Sequence, residues 1–138
     1  MPNQDEVLLL QTNLDDCTGE IMGYTMDLLL DAGALDVSYA PIFMKKNRPG
    51  YELTVMCKPD REEDLIKIIF RETSAIGMRR TVSQRIIMDR EETTVQTAYG
   101  EVKAKKASYE DVEKVSIEFE DAKRLAKEQN VPLKDILK

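Results

Sequence analysis

The stretch VSYAPIFMKKNRPGYELTVM, residues 37–56, places a basic turn between two apolar runs. Each run has the length and the β-branched and aromatic content of a strand, so we predict a β-hairpin with strands over 34–44 and 51–58. The Pro49-Gly50 pair is predicted to supply the turn into the second strand. Pro41 cannot donate a ladder hydrogen bond, which predicts an edge or bulged position for the first strand.

One strand and one helix are predicted on each side of this hairpin. Before it, an apolar run over 7–14 predicts a strand, and residues 20–32 show helical spacing that Gly33 ends. After it, a helix over 59–74 precedes a strand over 78–88. The order βαββαβ is that of a ferredoxin-like sandwich, which takes about 80–90 residues. We therefore expect an α+β fold.

The carboxyl-terminal part predicts a smaller extension. Strands over 93–98 and 101–107 flank a hairpin signal, a further strand covers 115–119, and helices follow over 120–129 and 133–137. Asn130 is predicted to occupy a left-handed cap between these helices. One long bent strand over 81–96 is expected to join the two parts. The ferredoxin-like half (1–90) and the β-hairpin with its helices (91–138) are thus predicted to pack as one continuous domain.

Composition excludes several classes of function. The chain has 138 residues and a net charge of -6, which argues against general nucleic-acid binding. It contains no histidine, which removes Ser-His-Asp, Cys-His and HExxH chemistry. No apolar run is long enough to span a bilayer, so no membrane partner is expected. The polar, acidic start MPNQDE is unlike a signal peptide, which predicts a cytoplasmic location.

Cys17 and Cys57 lie far apart without a CxxC pattern, so both are predicted to be free thiols that serve packing.

The basic turn is the first candidate site. Lys45, Lys46 and Arg48 form a compact positive cluster, and ammonium and guanidinium groups suit phosphate oxygens. Because neighbours on extended backbone face opposite ways, Lys46 and Arg48 are the preferred contacts. The alternative is a charged hairpin tip that keeps an edge strand from pairing with other chains.

Carboxylates form the second candidate site. Asp15, Asp16 and Glu20 lie between the first strand and the first helix, where they could ligate magnesium or manganese. The alternative is that Asp16 or Thr18 simply caps the helix.

A third charged group comprises Arg71, Glu72, Arg79 and Arg80. Arg71 can instead stabilise the carboxyl end of its helix, and only one of the two adjacent arginines can face a given site on a strand. Together the three groups complement a nucleoside triphosphate with its metal. The chain contains no Walker GxxxxGK[ST] loop.

Four segments of the chain carry a resemblance to a known family. They are LLLQTNLDDCTGEIMGYTMDLLLDAGALDVSYAPIFMKKNRPGYELTVMC (8–57), IFRETSAIGMRR (69–80), TVQTAYGEVKAKKA (94–107) and residues 118–135. These segments closely resemble the carboxyl-terminal domain of LarC-type nickel-pincer cofactor biosynthesis proteins, also described as nickel chelatases or cyclometallases. The resemblance covers nearly the whole chain.

The resemblance implies an activity that composition does not. Family members insert nickel into pyridinium-3,5-bisthiocarboxylic acid mononucleotide, a lyase-class reaction that makes the cofactor of lactate racemase. The reaction consumes CTP and needs Mn or Mg. The carboxyl-terminal domain is associated with CTP binding and is expected to form homotrimers or homohexamers.

The resemblance also implies roles for individual residues. The nucleotide-binding candidates are Lys45, Lys46, Arg48, Arg71, Arg79 and Arg80. The candidate metal ligands are Asp15, Asp16, Glu20 and Glu72.

One departure from the family limits this expectation. The family's amino-terminal, histidine-rich domain, which would hold nickel, has no counterpart in this sequence. We therefore expect a fragment or a separately translated part that binds CTP without completing the reaction. The alternative reading is an oligomerisation module without a nucleotide site of its own. A metabolite-sensing ACT-type domain shares the βαββαβ order, and the family motifs disfavour it.

Overall fold

The structure is a computed structural model that describes residues 3–138. Within this range the elements are, in order, β1 (Asn3–Leu14), α1 (Gly19–Asp31), β2 (Asp36–Met44), β3 (Arg48–Cys57), α2 (Glu62–Glu72), β4 (Arg79–Ile87), β5 (Asp89–Thr97), β6 (Gly100–Tyr109), β7 (Val112–Ile117), α3 (Phe119–Gln129) and α4 (Leu133–Ile136). Short 3-10 turns at Lys45–Asn47 and Pro59–Arg61 precede β3 and α2. None of the described helices is long and apolar enough to cross a lipid bilayer.

The first four strands form one sheet in the order β2-β3-β1-β4. β3 pairs antiparallel with both β2 and β1. This strand order, with the connections βαββαβ, is the ferredoxin-like arrangement, so the predicted fold is confirmed. β2 lies at the edge of the sheet, which confirms the edge position predicted from Pro41.

The core of this sheet lies on the face that carries α1 and α2. Alternate residues of β1 are buried there, with Leu10 opposite Val55 and Thr12 opposite Leu53 of β3. Met22 and Leu29 of α1, and Leu65 and Ile69 of α2, are buried against them. Because side chains alternate along a strand, Asn13 lies on the opposite face of the sheet, which is open to solvent at this end of β1. We call it the open face.

The remaining strands form a second sheet in the order β5-β6-β7. Its core contains Val102 of β6 and Ala122 and Leu125 of α3, together with Ile136 of α4. Asn130 has φ 51° and ends α3 in the left-handed conformation, which confirms its predicted role as a cap.

The structure corrects two details of the sequence interpretation. The long strand expected over 81–96 is two strands, because β4 ends at Ile87 in the first sheet and β5 begins at Asp89 in the second. The Pro49-Gly50 pair does not form the hairpin turn, since both residues lie inside β3. Lys46 and Asn47 turn the chain instead, with φ of 63° and 59°.

The chain forms two compact units, Asp5–Arg85, and Ile86–Lys138 with the described residues before Asp5. The division predicted at residue 90 stays a prediction. Both thiols are free in the structure, with Cys57 buried and Cys17 half-buried.

Candidate functional site

A cleft of about 530 Å³ lies at one end of the four-stranded sheet, within the unit Asp5–Arg85. Two cross-strand pairs of the hairpin, Pro41 with Tyr51 and Phe43 with Pro49, line it. Tyr51 is also opposite Leu14, whose side chain is in the core, so these four residues lie on the helix-bearing face. We call them the apolar floor of the cleft.

The loop between β1 and α1 forms the other wall. It contributes Asp15, Asp16, Cys17 and Thr18 to the lining. The Thr18 hydroxyl accepts a hydrogen bond from the backbone N–H of Ile21 at 3.2 Å and so caps α1. Because Thr18 supplies the cap, the carboxylates of Asp15 and Asp16 are not needed for it.

Gly50 allows the two walls to approach each other. A Cβ at this position would lie 2.4 Å from the backbone oxygen of Leu14 and 2.8 Å from the Met44 sulfur. Both distances are far below van der Waals contact, so a side chain here would push β3 away from the end of β1. The shape of the cleft therefore depends on this glycine.

The basic turn adjoins the cleft at the end of the hairpin. Arg48 donates to the Asp15 carboxylate at 3.5 Å, which ties the turn to the acidic wall. Lys45 and Lys46 are exposed, and within residues 3–138 neither forms an ion pair. Since residues 45–47 form a 3-10 turn, the alternation of an extended strand does not apply to these two lysines. Their charges are available to a ligand.

The other predicted cations lie elsewhere. Arg79 donates to Asn13 at 3.2 Å and to Glu52 at 3.4 Å, on the open face of the sheet. Arg80 forms two hydrogen bonds with Glu62 at the start of α2, which packs on the helix-bearing face. These bonds lower the pKa of the Glu62 carboxyl and raise that of the Arg80 guanidinium. The prediction that only one of the two can face a given site is thus confirmed.

Arg71 and Glu72 pair with each other at 3.0 Å at the end of α2. Arg71 also lines a second groove, of about 470 Å³, with Arg61 and Gly33. Arg71, Glu72, Arg79 and Arg80 do not line the 530 Å³ cleft, and Glu20 lies exposed in the first turn of α1. A contact of these five residues with a nucleotide or a metal stays a prediction.

The cleft suits a cation that the protein shares with a bound ligand. Among residues 3–138, no group of three or more Asp, Glu, His or Cys side chains is placed to hold a metal ion by itself. The cleft provides the two carboxylates of Asp15 and Asp16. Magnesium is commonly bound through one or two carboxylates together with substrate phosphates, and this donor set fits that arrangement.

Sequence reasoning missed the apolar floor. Part of the signal was present, because Pro41 and Phe43 fall at alternate positions of the first predicted strand and Tyr51 begins the second, whereas Pro49 was assigned to the turn. What the sequence did not show is that α1 leaves this end of the sheet uncovered. Phe43 is therefore 81% exposed.

The comparisons with known proteins identify the family. Residues 1–137 match the model of the family described as nickel insertion protein. The chain therefore belongs to the nickel insertion protein family, and the family predicted from the sequence motifs is confirmed.

Similar proteins include two curated bacterial relatives named pyridinium-3,5-bisthiocarboxylic acid mononucleotide nickel insertion protein. The one from Acetivibrio thermocellus is 46% identical over 132 residues, or 96% of this chain and 32% of the relative. The one from Lactiplantibacillus plantarum is also 46% identical, over 96% of this chain and 31% of the relative. The chain thus spans about a third of the length of these relatives.

Two solved structures resemble the chain. One is described as LarC2, the carboxyl-terminal domain of a cyclometallase involved in the synthesis of the NPN cofactor of lactate racemase, in its apo form. It is 44% identical, with a TM-score of 0.92, and the match covers 98% of this chain and 94% of that one. A protein from Methanopyrus kandleri is 27% identical, with a TM-score of 0.69, over 99% of this chain and 87% of that one.

Proposed function

We propose that this chain is the part of a nickel insertion protein that binds CTP together with Mn or Mg. The whole protein would insert nickel, as its substrate, into pyridinium-3,5-bisthiocarboxylic acid mononucleotide. The observation that carries the proposal is that Asp15 and Asp16 line one cleft and that Arg48 of the adjoining basic turn pairs with Asp15. The two lysines of this turn have no ion-pair partner in residues 3–138. The family match and the LarC2 likeness support the assignment.

Charge explains why a metal belongs to this proposal. Two carboxylates at the cleft would repel the triphosphate of a free nucleotide, whereas a divalent cation between them attracts both groups. When bound, such a cation neutralises charge on the phosphate oxygens. Lys45, Lys46 and Arg48 would bind the phosphate oxygens that the cation does not contact. The lysines would act as point charges and the arginine through its planar guanidinium.

Other properties of the complete protein extend this proposal. Nickel would be held by an amino-terminal domain, which the longer relatives have room for, and CTP hydrolysis would be coupled to insertion there. Assembly into trimers or hexamers is likewise proposed for this chain. The chain alone would bind the nucleotide without completing the lyase-class reaction.

Titration calorimetry of the purified chain with CTP tests the proposal. In saturating manganese we expect binding that EDTA abolishes and that Asp16→Asn weakens at least about tenfold, since the loss of a charged ligand group costs about 1.5–3 kcal/mol. Asp27→Asn is the matched control, because Asp27 is an exposed acid on α1 outside the cleft. Absence of binding by the wild-type chain at millimolar CTP would refute the proposal.

An assembly role is the second candidate, and exposed apolar side chains in the unit Asp5–Arg85 favour it. Ile76 is fully exposed in the loop before β4, and Val82 on the edge strand β4 is more than half exposed. Exposed apolar side chains that lie together in a patch are typical of surfaces that bind another protein. In an assembly role, the basic turn would form ion pairs between subunits and would not bind a nucleotide.

A further inference from the structure

We infer that Phe43 and Pro49 form a platform for the nucleobase of the bound nucleotide. This inference rests on the proposed function and adds to it the part of the cleft that contacts the base. The two residues are direct cross-strand partners in the β2–β3 ladder, and both line the cleft. Their side chains therefore lie next to each other on one face of the sheet.

The exposure of Phe43 is the observation that needs an explanation. The residue is 81% exposed, although it lies in a regular strand and not in a loop. Removing a phenylalanine side chain from water is favourable, so a ring left in water at a cleft forgoes that stabilisation. A ligand with a flat apolar face would recover it.

Neighbouring residues hold the platform in place. The rings of Tyr39 and Tyr51 pack edge to face, with centroids 5.5 Å apart and an interplanar angle of 87°. Tyr51 is two residues after Pro49 on β3, and Pro41 is two residues before Phe43 on β2, all on the same face. The platform is thus the part of the apolar floor next to the basic turn, and the strand ladder and the tyrosine pair position it before a ligand binds, which reduces the entropy cost of binding.

The position of the platform matches the layout of a nucleotide. Phe43 precedes Lys45 by two residues, so their Cα atoms are at most about 7 Å apart and the base surface lies roughly a sugar's length from the cations. The acidic wall at Asp15 and Asp16 and the basic turn form the charged end of the cleft. A base on the floor would therefore place its phosphates toward the charged groups.

Stacking has a consequence for specificity. Every base offers a π-face, so a phenylalanine platform contributes affinity without distinguishing one base from another. We therefore assign Phe43 to general nucleobase affinity. The distinction between CTP and UTP, where it exists, must come from hydrogen bonds made by other groups.

Calorimetry with three ligands in saturating manganese tests the platform. We expect Phe43→Ala to weaken CTP and UTP by the same factor, about tenfold, which is within the range for loss of one aromatic stack. Binding of inorganic triphosphate should stay unchanged, because it has no base. Phe43→Trp should bind CTP at least as tightly as the wild type does. Phe70→Ala, at a partly exposed ring on α2, is the control and should change none of the three.

The outcomes separate the two proposals. If wild-type chain binds CTP and Phe43→Ala binds it equally well, the platform is wrong and the proposed function stands. If Phe43→Ala weakens inorganic triphosphate as much as CTP, the residue shapes the charged end and the platform is also wrong. If the wild-type chain binds neither CTP nor inorganic triphosphate, the proposed function fails and the platform with it. Thermal melts of each variant check that the fold is retained.

Discussion

Arg79 and Arg80 are neighbours in the chain, yet their guanidinium groups bind carboxylates on opposite faces of the same sheet. Arg79 contacts Glu52 on the open face, whereas Arg80 binds Glu62 of α2 on the helix-bearing face. A ligand lying on one face of the sheet reaches only one of them directly. The pair therefore makes a matched test of position, since the two residues differ in little else.

The Arg80 contact predicts a local titration shift. Hydrogen bonds from Arg80 hold the pKa of Glu62 below its usual range. We expect Arg80→Ala to raise the pKa of Glu62 toward its ordinary value, and Arg79→Ala to leave it unchanged. Carboxyl-carbon NMR titration measures both. Equal pKa values for Glu62 in the two variants would contradict the placement of these side chains.

Charge reversal at the basic turn separates nucleotide binding from assembly. We expect the double variant Lys45→Glu, Lys46→Glu to lose CTP affinity at least about tenfold, because each charged contact with a phosphate contributes about 1.5–3 kcal/mol. Its oligomer mass in light scattering should equal that of the wild type. Lys127→Glu with Lys134→Glu changes the net charge equally at two exposed lysines of α3 and α4 and is the control. A changed mass with CTP binding retained would favour the assembly role.

Cys17 offers a chemical probe of the cleft. Burial raises the pKa of its thiol, and the Asp16 carboxylate raises it further. Less thiolate is then present at a given pH, so we expect iodoacetamide to alkylate Cys17 more slowly than free cysteine. Manganese with CTP should slow the reaction again, because Cys17 lines the cleft. Mass spectrometry measures the alkylation of Cys17, and fully buried Cys57 is the internal control. Unchanged labelling of Cys17 in saturating CTP would place the nucleotide elsewhere.

Asp5 predicts how the first unit responds to acid. Arg85 donates two hydrogen bonds to its carboxylate and Lys58 donates one, and together they hold the pKa of Asp5 far below its usual range. On acidification, the Asp5 carboxylate therefore takes up its proton at a higher pH in the unfolded chain than in the folded one. The contribution of ionised Asp5 to the free energy of unfolding is complete at neutral pH and is lost as the pH falls below about 4.

Asp5→Asn removes this dependence. We expect the variant to unfold at lower denaturant concentration than wild type at pH 7, and to lose less stability between pH 4 and pH 2. Asp36→Asn, at an exposed acid on β2, should behave as wild type. Parallel pH profiles for wild type and Asp5→Asn would show that the three-residue network contributes nothing.

Two glycines predict stability changes of opposite sign. Gly50→Ala should destabilise the fold by about 1–3 kcal/mol, because its Cβ would overlap the Leu14 carbonyl oxygen. Gly23→Ala should stabilise it by about 0.5–1 kcal/mol, since Gly23 lies inside α1 with no atom within 4 Å of the added Cβ. Urea unfolding measures both. A Gly50→Ala variant as stable as wild type would mean that β3 can move away from β1 without cost.

The predictable part of this fold rests on local patterns. A continuous apolar run over 7–14 and a strand-like apolar run over 51–58 determined two central strands, and 3.6-residue spacing determined α1 and α2. The hairpin turn was misplaced, because Pro49-Gly50 is a stronger local turn signal than Lys46-Asn47. Gly50 is glycine for a tertiary reason, the contact with Leu14, which no local pattern reveals.

The sequence alone therefore determined the βαββαβ order, the edge position of β2, the Asn130 cap and, through its motifs, the family. Only the tertiary structure decided which charged residues share a cleft. Long side chains of Arg and Lys find partners far away in the chain, as Arg48 does at Asp15 and Arg80 at Glu62. Periodicity specifies the face on which a side chain lies. Which residues from other elements it meets there depends on how helices and strands pack.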